Sequence, residues 1–192
     1  MTTIAIVGAS KGLGLAVAER FAREGFAVAL ISRHQGRLDE LAATLTAEGV
    51  TAEGFAANVR DQESLRGALE RATEQLGPIE FSVYGAVTAV RQVLPGMRAL
   101  GRGTVLFVNG ASAVRPMDRV TGTSVAFAAE SAYAQLLHDA VADEGVHVAQ
   151  LIIPFGIDDG QDDHTGAALA ERLWGLHAER DGFRTYAEPL TD

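Results

Sequence analysis

The sequence predicts an α/β fold in which a doubly wound parallel β-sheet lies between two layers of helices, in the order αβα. Apolar runs of strand length alternate with segments of helical periodicity along the 192-residue chain, and this alternation is typical of parallel sheets. A glycine-rich turn joins the first strand to the first helix. Because parallel strands are connected by right-handed crossovers, we expect helices on both faces of the sheet.

The first half of the chain supplies three pairs of strand and helix. Residues 4–7 form an unbroken apolar run, as expected for a strand buried on both faces, and Leu13, Val17 and Phe21 follow at helical spacing. Asp61 is expected to cap the third helix, because its carboxylate can accept hydrogen bonds from the free N–H groups of the first turn. The predicted strands cover residues 4–7, 26–31 and 50–59, and the predicted helices cover residues 12–24, 37–48 and 61–76.

The second half continues the alternation. Its clearest strands are residues 103–108 and 146–153, and a helix is predicted between them at residues 124–143. A last helix is predicted at residues 170–177. The loop before it is rich in Asp and contains His164, but its spacing does not match a calcium-binding loop, so a solvated flexible loop is favoured over a metal site and no metal is expected.

Composition narrows the possible partners. The formal net charge is −9 and there is no cysteine. An acidic chain argues against nucleic acid and against an anionic membrane surface as partners, and the absence of cysteine excludes disulfides and thiolate metal sites. We expect one domain spanning residues 1–192. The N-terminal residues lack the pattern of a signal peptide, which favours a cytoplasmic protein.

The glycine turn predicts a nucleotide site. Gly8, Gly12 and Gly14 lie where the first strand turns into the first helix. Glycines at this place allow the backbone to approach a pyrophosphate, and the helix N-terminus supplies free N–H groups and a partial positive charge. The alternative is a tight turn that binds nothing.

Two cations favour NADP over NAD. The second predicted strand is followed by Ser32, Arg33 and His34, where NAD-binding proteins would place an acidic side chain for the ribose 2′-hydroxyl. Arg33 and Lys11 could instead bind the 2′-phosphate of NADP. The alternative is that both are solvated surface charges.

With these residues in hand, the chain resembles the short-chain dehydrogenase/reductase family, whose domain is Rossmann-like. The resemblance implies nucleotide contacts along the glycine turn, after the second and third strands and after the sixth. The matching motifs are Gly8, Gly12 and Gly14; Asn58-Val59; Leu94-Pro95-Gly96-Met97; Asn109-Gly110-Ala111-Ser112; and Pro154-Phe155-Gly156. The cofactor-binding residues implied are Gly8, Ser10, Lys11, Gly12, Leu13, Gly14, Arg33, Asn58, Val59, Pro154 and Gly156.

The catalytic residues of that family are mostly missing. The resemblance would require a Tyr that donates a proton and a Lys four positions after it, but alignment on the apolar face of the helix places Phe127 and Ser131 there. A shift by one residue places Ala126 and Glu130 there instead. Ser112 alone remains as a candidate catalytic residue, in the position of the family's carbonyl-polarising Ser.

The middle of the chain is shorter than the family pattern. Residues 81–85 read as the start of the helix that ends at Leu94-Pro95, which places Ser82 at the position of the family's catalytic Asn and leaves no fourth strand. Three explanations stay open: a shortened gene, reuse of residues 79–83 as a strand, or omission of a disordered segment.

Three functional hypotheses follow. The first is an atypical NADP-dependent oxidoreductase that acts on a small carbonyl or alcohol compound. The second is a non-catalytic NADP-binding sensor or partner-binding scaffold, and the third is a scaffold that binds no nucleotide. The resemblance also implies a homodimer or homotetramer, for which the helix carrying Tyr133, Leu136 and Leu137 has apolar residues.

Overall fold

The computed structural model describes residues 2–59, 61–83 and 87–190, with the backbone alone described for residues 80–83. These residues form one seven-stranded sheet and six α-helices. The strands are β1 Thr3–Val7, β2 Ala27–Ser32, β3 Ala52–Ala56, β4 Ile79–Val83, β5 Gly103–Gly110, β6 Val146–Ile153 and β7 Arg184–Tyr186. The helices are α1 Leu13–Ala22, α2 Gln35–Ala47, α3 Gln62–Leu76, α4 Val87–Leu100, α5 Thr121–Val141 and α6 Gly166–Glu179.

The sheet is parallel throughout, and its strand order is β3-β2-β1-β4-β5-β6-β7. The order runs outward in both directions from β1 and β4, so the chain reverses its winding between these two strands. This topology confirms the predicted doubly wound α/β fold. In such sheets ligands bind beside the carboxyl ends of the strands at the reversal point.

Two apolar cores lie on the two faces of the sheet. Helices α1, α2 and α6 cover one face, with Phe21 and Leu38 fully buried there. Helices α3, α4 and α5 cover the other, where Leu65 and Met97 are fully buried. The segregation of helices confirms the expected three layers. Within the described part of the chain, no helix is both long and apolar enough to cross a membrane.

The interpretation of residues 81–83 as the start of a helix was wrong. Residues 79–83 form β4, which pairs with β1 through Ile4↔Phe81 and Ile6↔Val83 and with β5 through Phe81↔Thr104. Since buried backbone N–H and C=O groups need partners, the space between β1 and β5 requires a strand, and this segment supplies it. Ser82 therefore lies in β4 and not at the helical position of the family's Asn, while residues 84–86 lie outside the described residues.

Local chemistry explains the helix ends. The Asp61 carboxylate accepts hydrogen bonds from the N–H groups of Glu63 and Ser64 at 3.1 and 3.2 Å, which confirms the predicted cap. Helix α6 begins earlier than predicted because the Thr165 hydroxyl accepts from the N–H of Ala168. Strand β7, which was not predicted, adds three exposed residues to the edge of β6.

One buried histidine makes the stability of the fold depend on pH. His147 lies in β6 and is 7% exposed, and among the described residues its Nε2 atom has no hydrogen-bond partner. Burial, with smaller contributions from the positive charge of Arg180 and the neighbouring histidines His138 and His177, lowers the pKa of His147 to about 4. The native state therefore favours the neutral ring.

We expect His147 to destabilise the fold in acid. The unfolded chain takes up a proton on this side chain near pH 6.5 and the native chain only near pH 4, so its contribution to stability is full above pH 6.5 and is lost between pH 6.5 and 4. Between pH 7.5 and 5 the loss is about 2 kcal/mol for a shift of this size. Urea unfolding of the wild type and of His147→Gln at both pH values measures it, and an equal pH dependence in the two proteins would contradict the assignment.

Candidate nucleotide-binding and active site

A cavity of about 670 Å³ opens beside the carboxyl ends of β1 and β2. Its walls come from the glycine turn, the segment between β2 and α2, the first turns of α2 and the residue that follows Asn58. The size is typical of small-molecule and cofactor sites. The lining residues are Gly8, Ala9, Ser10, Lys11, Ser32, Arg33, His34, Arg37, Glu40, Leu41 and Val59.

The glycine turn leaves the floor of this cavity open to a ligand. Gly8 has a φ of +94°, a left-handed conformation that favours glycine. Its N–H and that of Ala9 both donate to the carbonyl of Ile31 at 2.8 and 3.1 Å, which fastens the turn to β2. A Cβ atom at Gly14 would lie 3.2 Å from the Cα atom of Ala9, whereas one at Gly12 would project into open space. The backbone is therefore closely packed at Gly14, whereas there is free space beside Gly12.

Helix α1 starts directly from this turn. Its N-cap residue is Gly12, and no side chain caps its first turn. An uncapped N-terminus presents N–H groups and the positive end of the helix dipole, which is the arrangement that binds pyrophosphate. The residues present therefore fit a dinucleotide.

Three exposed cations surround the outer end of the cavity. Arg33 and Arg37 follow β2, and Lys11 projects from the glycine turn. The Lys11 ammonium lies 3.4 Å from the Glu40 carboxylate, and both side chains are largely exposed. Glu40 also lines the cavity, so it competes with any anionic ligand for Lys11.

The other predicted cofactor residues divide into two groups. Val59 lines the cavity, and Gly12, Leu13 and Gly14 form the start of α1 beneath it. Asn58, Pro154 and Gly156 do not line it; Asn58 follows β3, and the other two follow β6. All remain predictions for a bound nucleotide.

The candidate catalytic positions lie at the carboxyl end of β5. Ser112 is in a short 3₁₀ turn directly after β5 and is 3% exposed. Phe127, on α5, is partly buried, and a Cβ atom at Gly110 would lie 3.9 Å from its ring. A phenyl ring has no proton to donate, so Phe127 cannot perform the role that the resemblance assigns to its position.

Ser131 is buried and belongs to a network of polar side chains. Its hydroxyl donates to Gln150 Oε1 at 3.0 Å and accepts from Arg184 Nη2 at 3.0 Å. Gln150 Nε2 donates to Asn109 Oδ1 at 2.8 Å, and Asn109 Nδ2 donates to Glu130 Oε2 at 2.9 Å. The network thus connects β5, β6 and β7 through α5.

Glu130 ends this network as a partly buried carboxyl group. Burial raises its pKa, and the hydrogen bond from Asn109 opposes that shift without cancelling it. The sequence indicated Glu130 only as an alternative alignment with the family's Lys. Gln150 and Arg184 were not predicted; a polar Gln in the middle of a mainly apolar strand was the available signal.

The acidic loop is exposed from Ile157 to Asp163, as the sequence favoured, but His164 at its end is buried. His164 is 2% exposed and stacks on Phe155 with 3.4 Å between ring centroids. Its Nδ1 atom lies 2.9 Å from both carboxylate oxygens of Asp159, and its Nε2 atom lies 2.8 Å from Glu188 Oε1. Burial acts against the charged ring, but the bonds to Glu188 and Asp159 outweigh it and raise the pKa of His164.

Comparison with known proteins agrees with this architecture. Residues 2–86 match the family model described as short chain dehydrogenase. The glycine betaine reductase ATRR of Emericella nidulans is 26% identical over 96% of this chain, and the short-chain dehydrogenase/reductase SDRA of Arabidopsis thaliana is 36% identical over 43% of it. The matches span 16% and 33% of those two proteins, so the chain corresponds to only part of each.

The fold also matches a solved structure over nearly its whole length. L-sorbose reductase from Gluconobacter frateurii, complexed with NADPH and L-sorbose, superposes with a TM-score of 0.83 at 23% identity and covers 96% of this chain and 94% of its own. At that identity the likeness shows the fold alone. The glycine turn, the strand order and the match of residues 2–86 to the family model together make this chain similar to the short-chain dehydrogenase/reductase family.

Proposed function

We propose that this protein is an atypical NADP-dependent oxidoreductase that acts on a small carbonyl or alcohol compound. The observation that carries the proposal is the group of cations at the outer end of the cavity: Lys11, Arg33 and Arg37 all line it, and the β2 end offers no carboxylate. A 2′-phosphate placed there would meet three positive charges, while a free 2′-hydroxyl would lack its usual acidic acceptor.

The glycine turn and α1 would hold the rest of the nucleotide. Gly12 leaves room for a pyrophosphate beside the uncapped helix end, and the exposed Val59 side chain offers an apolar surface for the adenine ring. When bound, NADPH supplies the hydride for a carbonyl reduction. The solved L-sorbose reductase of the same fold holds NADPH, which supports this choice of cofactor.

Ser112 is the candidate for polarising the carbonyl. It lies at the carboxyl end of β5, in the turn that leads away from Asn109 and Gly110. A hydroxyl group in a buried position can donate to a carbonyl oxygen as negative charge develops on it. This role remains a prediction, as does the identity of the substrate.

A non-catalytic NADP-binding sensor or scaffold is the second candidate function. The observation that favours it is the pair Phe127 and Ser131, since neither can act as the proton-donating phenol or the ammonium group of the family. It predicts the same nucleotide binding without turnover. The proposed homodimer or homotetramer fits both candidates: Val125 and Leu136 on α5 are 68% and 69% exposed, whereas Tyr133 and Leu137 pack into the core.

Calorimetric titration with NADPH, NADP and NAD tests the proposal, followed by absorbance assays of NADPH oxidation over a panel of aldehydes, ketones and imines. NADP-selective binding with turnover supports the oxidoreductase. Selective binding without turnover supports the sensor, and no binding to any of the three nucleotides contradicts both.

Arg33→Ala should weaken NADPH binding by about 10-fold or more, because a charge-assisted hydrogen bond contributes about 1.5–3 kcal/mol. NADH, which lacks the 2′-phosphate, should bind the variant as it binds the wild type. Arg71→Ala is the matched control, since Arg71 is exposed on α3 and does not line the cavity. If Arg33→Ala weakened the binding of NADPH and NADH equally, Arg33 would not be a ligand of the 2′-phosphate.

Glu40→Gln should have the opposite effect. The substitution frees Lys11 and removes a negative charge from the cavity wall, so NADPH should bind about 2- to 5-fold more tightly, in line with an exposed ion pair. The gain should fade at high salt, where exposed charges are screened. Glu48→Gln, at the other end of α2 and outside the cavity, should leave affinity unchanged; an unaltered Kd in Glu40→Gln would show that Lys11 does not contact the ligand.

A further inference from the structure

The proposed reaction lacks a proton donor. A carbonyl that gains a hydride on carbon must also gain a proton on oxygen, and the position that the family fills with a phenol holds Phe127. A replacement must lie on the same part of α5 and be able to exchange a proton. Glu130 satisfies both conditions, because it follows Phe127 by three residues, which places it on the same side of the helix one turn later.

The strands hold Glu130 in place through Asn109. Asn109 and Gln150 are buried residues on neighbouring strands, and both face the helix layer that contains α5, as do Phe107 and Val148 two residues before each of them. Asn109 is followed at once by Gly110, which lies beside the Phe127 ring, and by the turn that carries Ser112. The carboxyl group therefore lies at the end of β5 where the candidate catalytic residues gather.

The direction of every hydrogen bond in the network is fixed by Arg184. A guanidinium group only donates, and its Nε atom donates to Gln150 Oε1 at 2.8 Å while Ser131 donates to the same oxygen. The Gln150 amide must then turn its NH₂ group to Asn109 Oδ1, and Asn109 must turn its own NH₂ group to Glu130. Glu130 Oε2 accepts this hydrogen bond, which leaves the other oxygen, Oε1, as the place for a proton when the group is uncharged.

The surroundings keep that proton exchangeable. The pKa of Glu130 is raised because burial disfavours the carboxylate, and the bond from Asn109 limits the rise. Two cations on the packed elements act on other groups. Arg184 on β7 donates to Ser131 and Gln150, and Arg91 on α4 faces Tyr133, whose pKa is raised by burial and only partly lowered by the charge of Arg91. A carboxyl group of this kind can be protonated closer to neutral pH than an exposed Glu, as general acids require.

We propose that Glu130, oriented by Asn109, is the proton-exchanging group of this site; the inference rests on the proposed oxidoreductase function. In the reduction, a bound reduced nicotinamide nucleotide would supply a hydride to the carbonyl carbon, and Glu130 Oε1–H would give its proton to the carbonyl oxygen. The O–H bond of the carboxyl group breaks, the alcohol O–H bond forms, and the resulting carboxylate regains a proton from solvent. In the reverse direction the carboxylate accepts the alcohol proton.

Ionisation of Glu130 can be measured without cofactor or substrate. Carbon-13 NMR of Glu-labelled protein, with Glu130→Gln used to assign the signal, should show a carboxyl that titrates above the usual range of an exposed Glu. Asn109→Leu should raise its pKa further, because the donor that stabilises the carboxylate is lost. Titration in the ordinary range in the wild type would overturn the proposal.

Turnover gives the second readout. Glu130→Gln should keep the melting temperature and the Kd for NADPH while kcat falls by about 100-fold or more, the usual contribution of a general acid. The wild-type rate of reduction should decline as pH rises through the pKa found by NMR, and the residual rate of Glu130→Gln should lack that decline. Glu74→Gln, at an exposed position of α3, is the control expected to leave both profiles unchanged.

Failure of the role proposed for Glu130 and failure of the proposed oxidoreductase function give different results. If Glu130→Gln keeps the wild-type kcat and pH profile, the proton-exchanging role is wrong and the oxidoreductase function stands. If the wild type binds NADPH but reduces no carbonyl or imine in the panel, the proposed function and the role of Glu130 fall together, even where the NMR titration is elevated.

Discussion

The structure depends on the double pairing of β1. All five residues of this strand are buried, and its backbone is bonded to β2 on one side and β4 on the other. Helix α1, which follows β1, packs on one face of the sheet, and α4, which follows β4, packs on the opposite face, so the winding reverses here and ligands are expected beside the carboxyl ends of the strands. The cavity beside the glycine turn and the polar cluster at the end of β5 both lie at the carboxyl edge of the sheet, and β4 is the strand that joins β1 to β5 between them.

Charge distribution matters more to this site than total charge. A protein with a net charge of −9 repels anions at long range, yet Lys11, Arg33 and Arg37 reach one cavity from two adjacent connections. At physiological salt the Debye length is about 8 Å, so these local cations dominate for a ligand already in the cavity. Glu40, in the second turn of α2, reduces the local positive charge. Its carboxylate pairs with Lys11 when no ligand is bound.

Sequence patterns predicted the elements whose burial is continuous. The strands β1 and β2 are apolar apart from one terminal residue each, β6 is apolar apart from His147 and Gln150, and the predicted bounds of β6 coincide with the observed ones. Strand β4 was missed because residues 81–85 were assigned to the helix that ends at Leu94-Pro95. The position between β1 and β5 must be filled by a strand, but this requirement is visible only once the whole sheet is known. Strand β7 has three exposed residues and no apolar pattern, so its existence follows only from the free edge of β6.

The site was predictable to the extent that its residues are local in sequence. The glycine turn and the cations after β2 belong to short segments whose spacing carries the information. The network that ends at Glu130 does not: Arg184 meets Gln150 across 34 positions, and Gln150 meets Asn109 across 41. Their association required the order of β5, β6 and β7, which no periodicity in the sequence specifies.

Because the phenol and ammonium of the family are replaced, the pKa of a proton-exchanging group at this site must be set in another way. In the family pattern a cation beside a phenol lowers the energy of the charged form directly. Here the cation is Arg184, and two amide side chains separate it from the carboxyl group, so it acts mainly by fixing which atoms donate. Without the guanidinium donor, the Gln150 amide could rotate and Asn109 could turn its carbonyl towards Glu130, which would require a protonated carboxyl. The orientation that the guanidinium imposes is therefore what allows Glu130 to exist in both of the states that proton transfer needs.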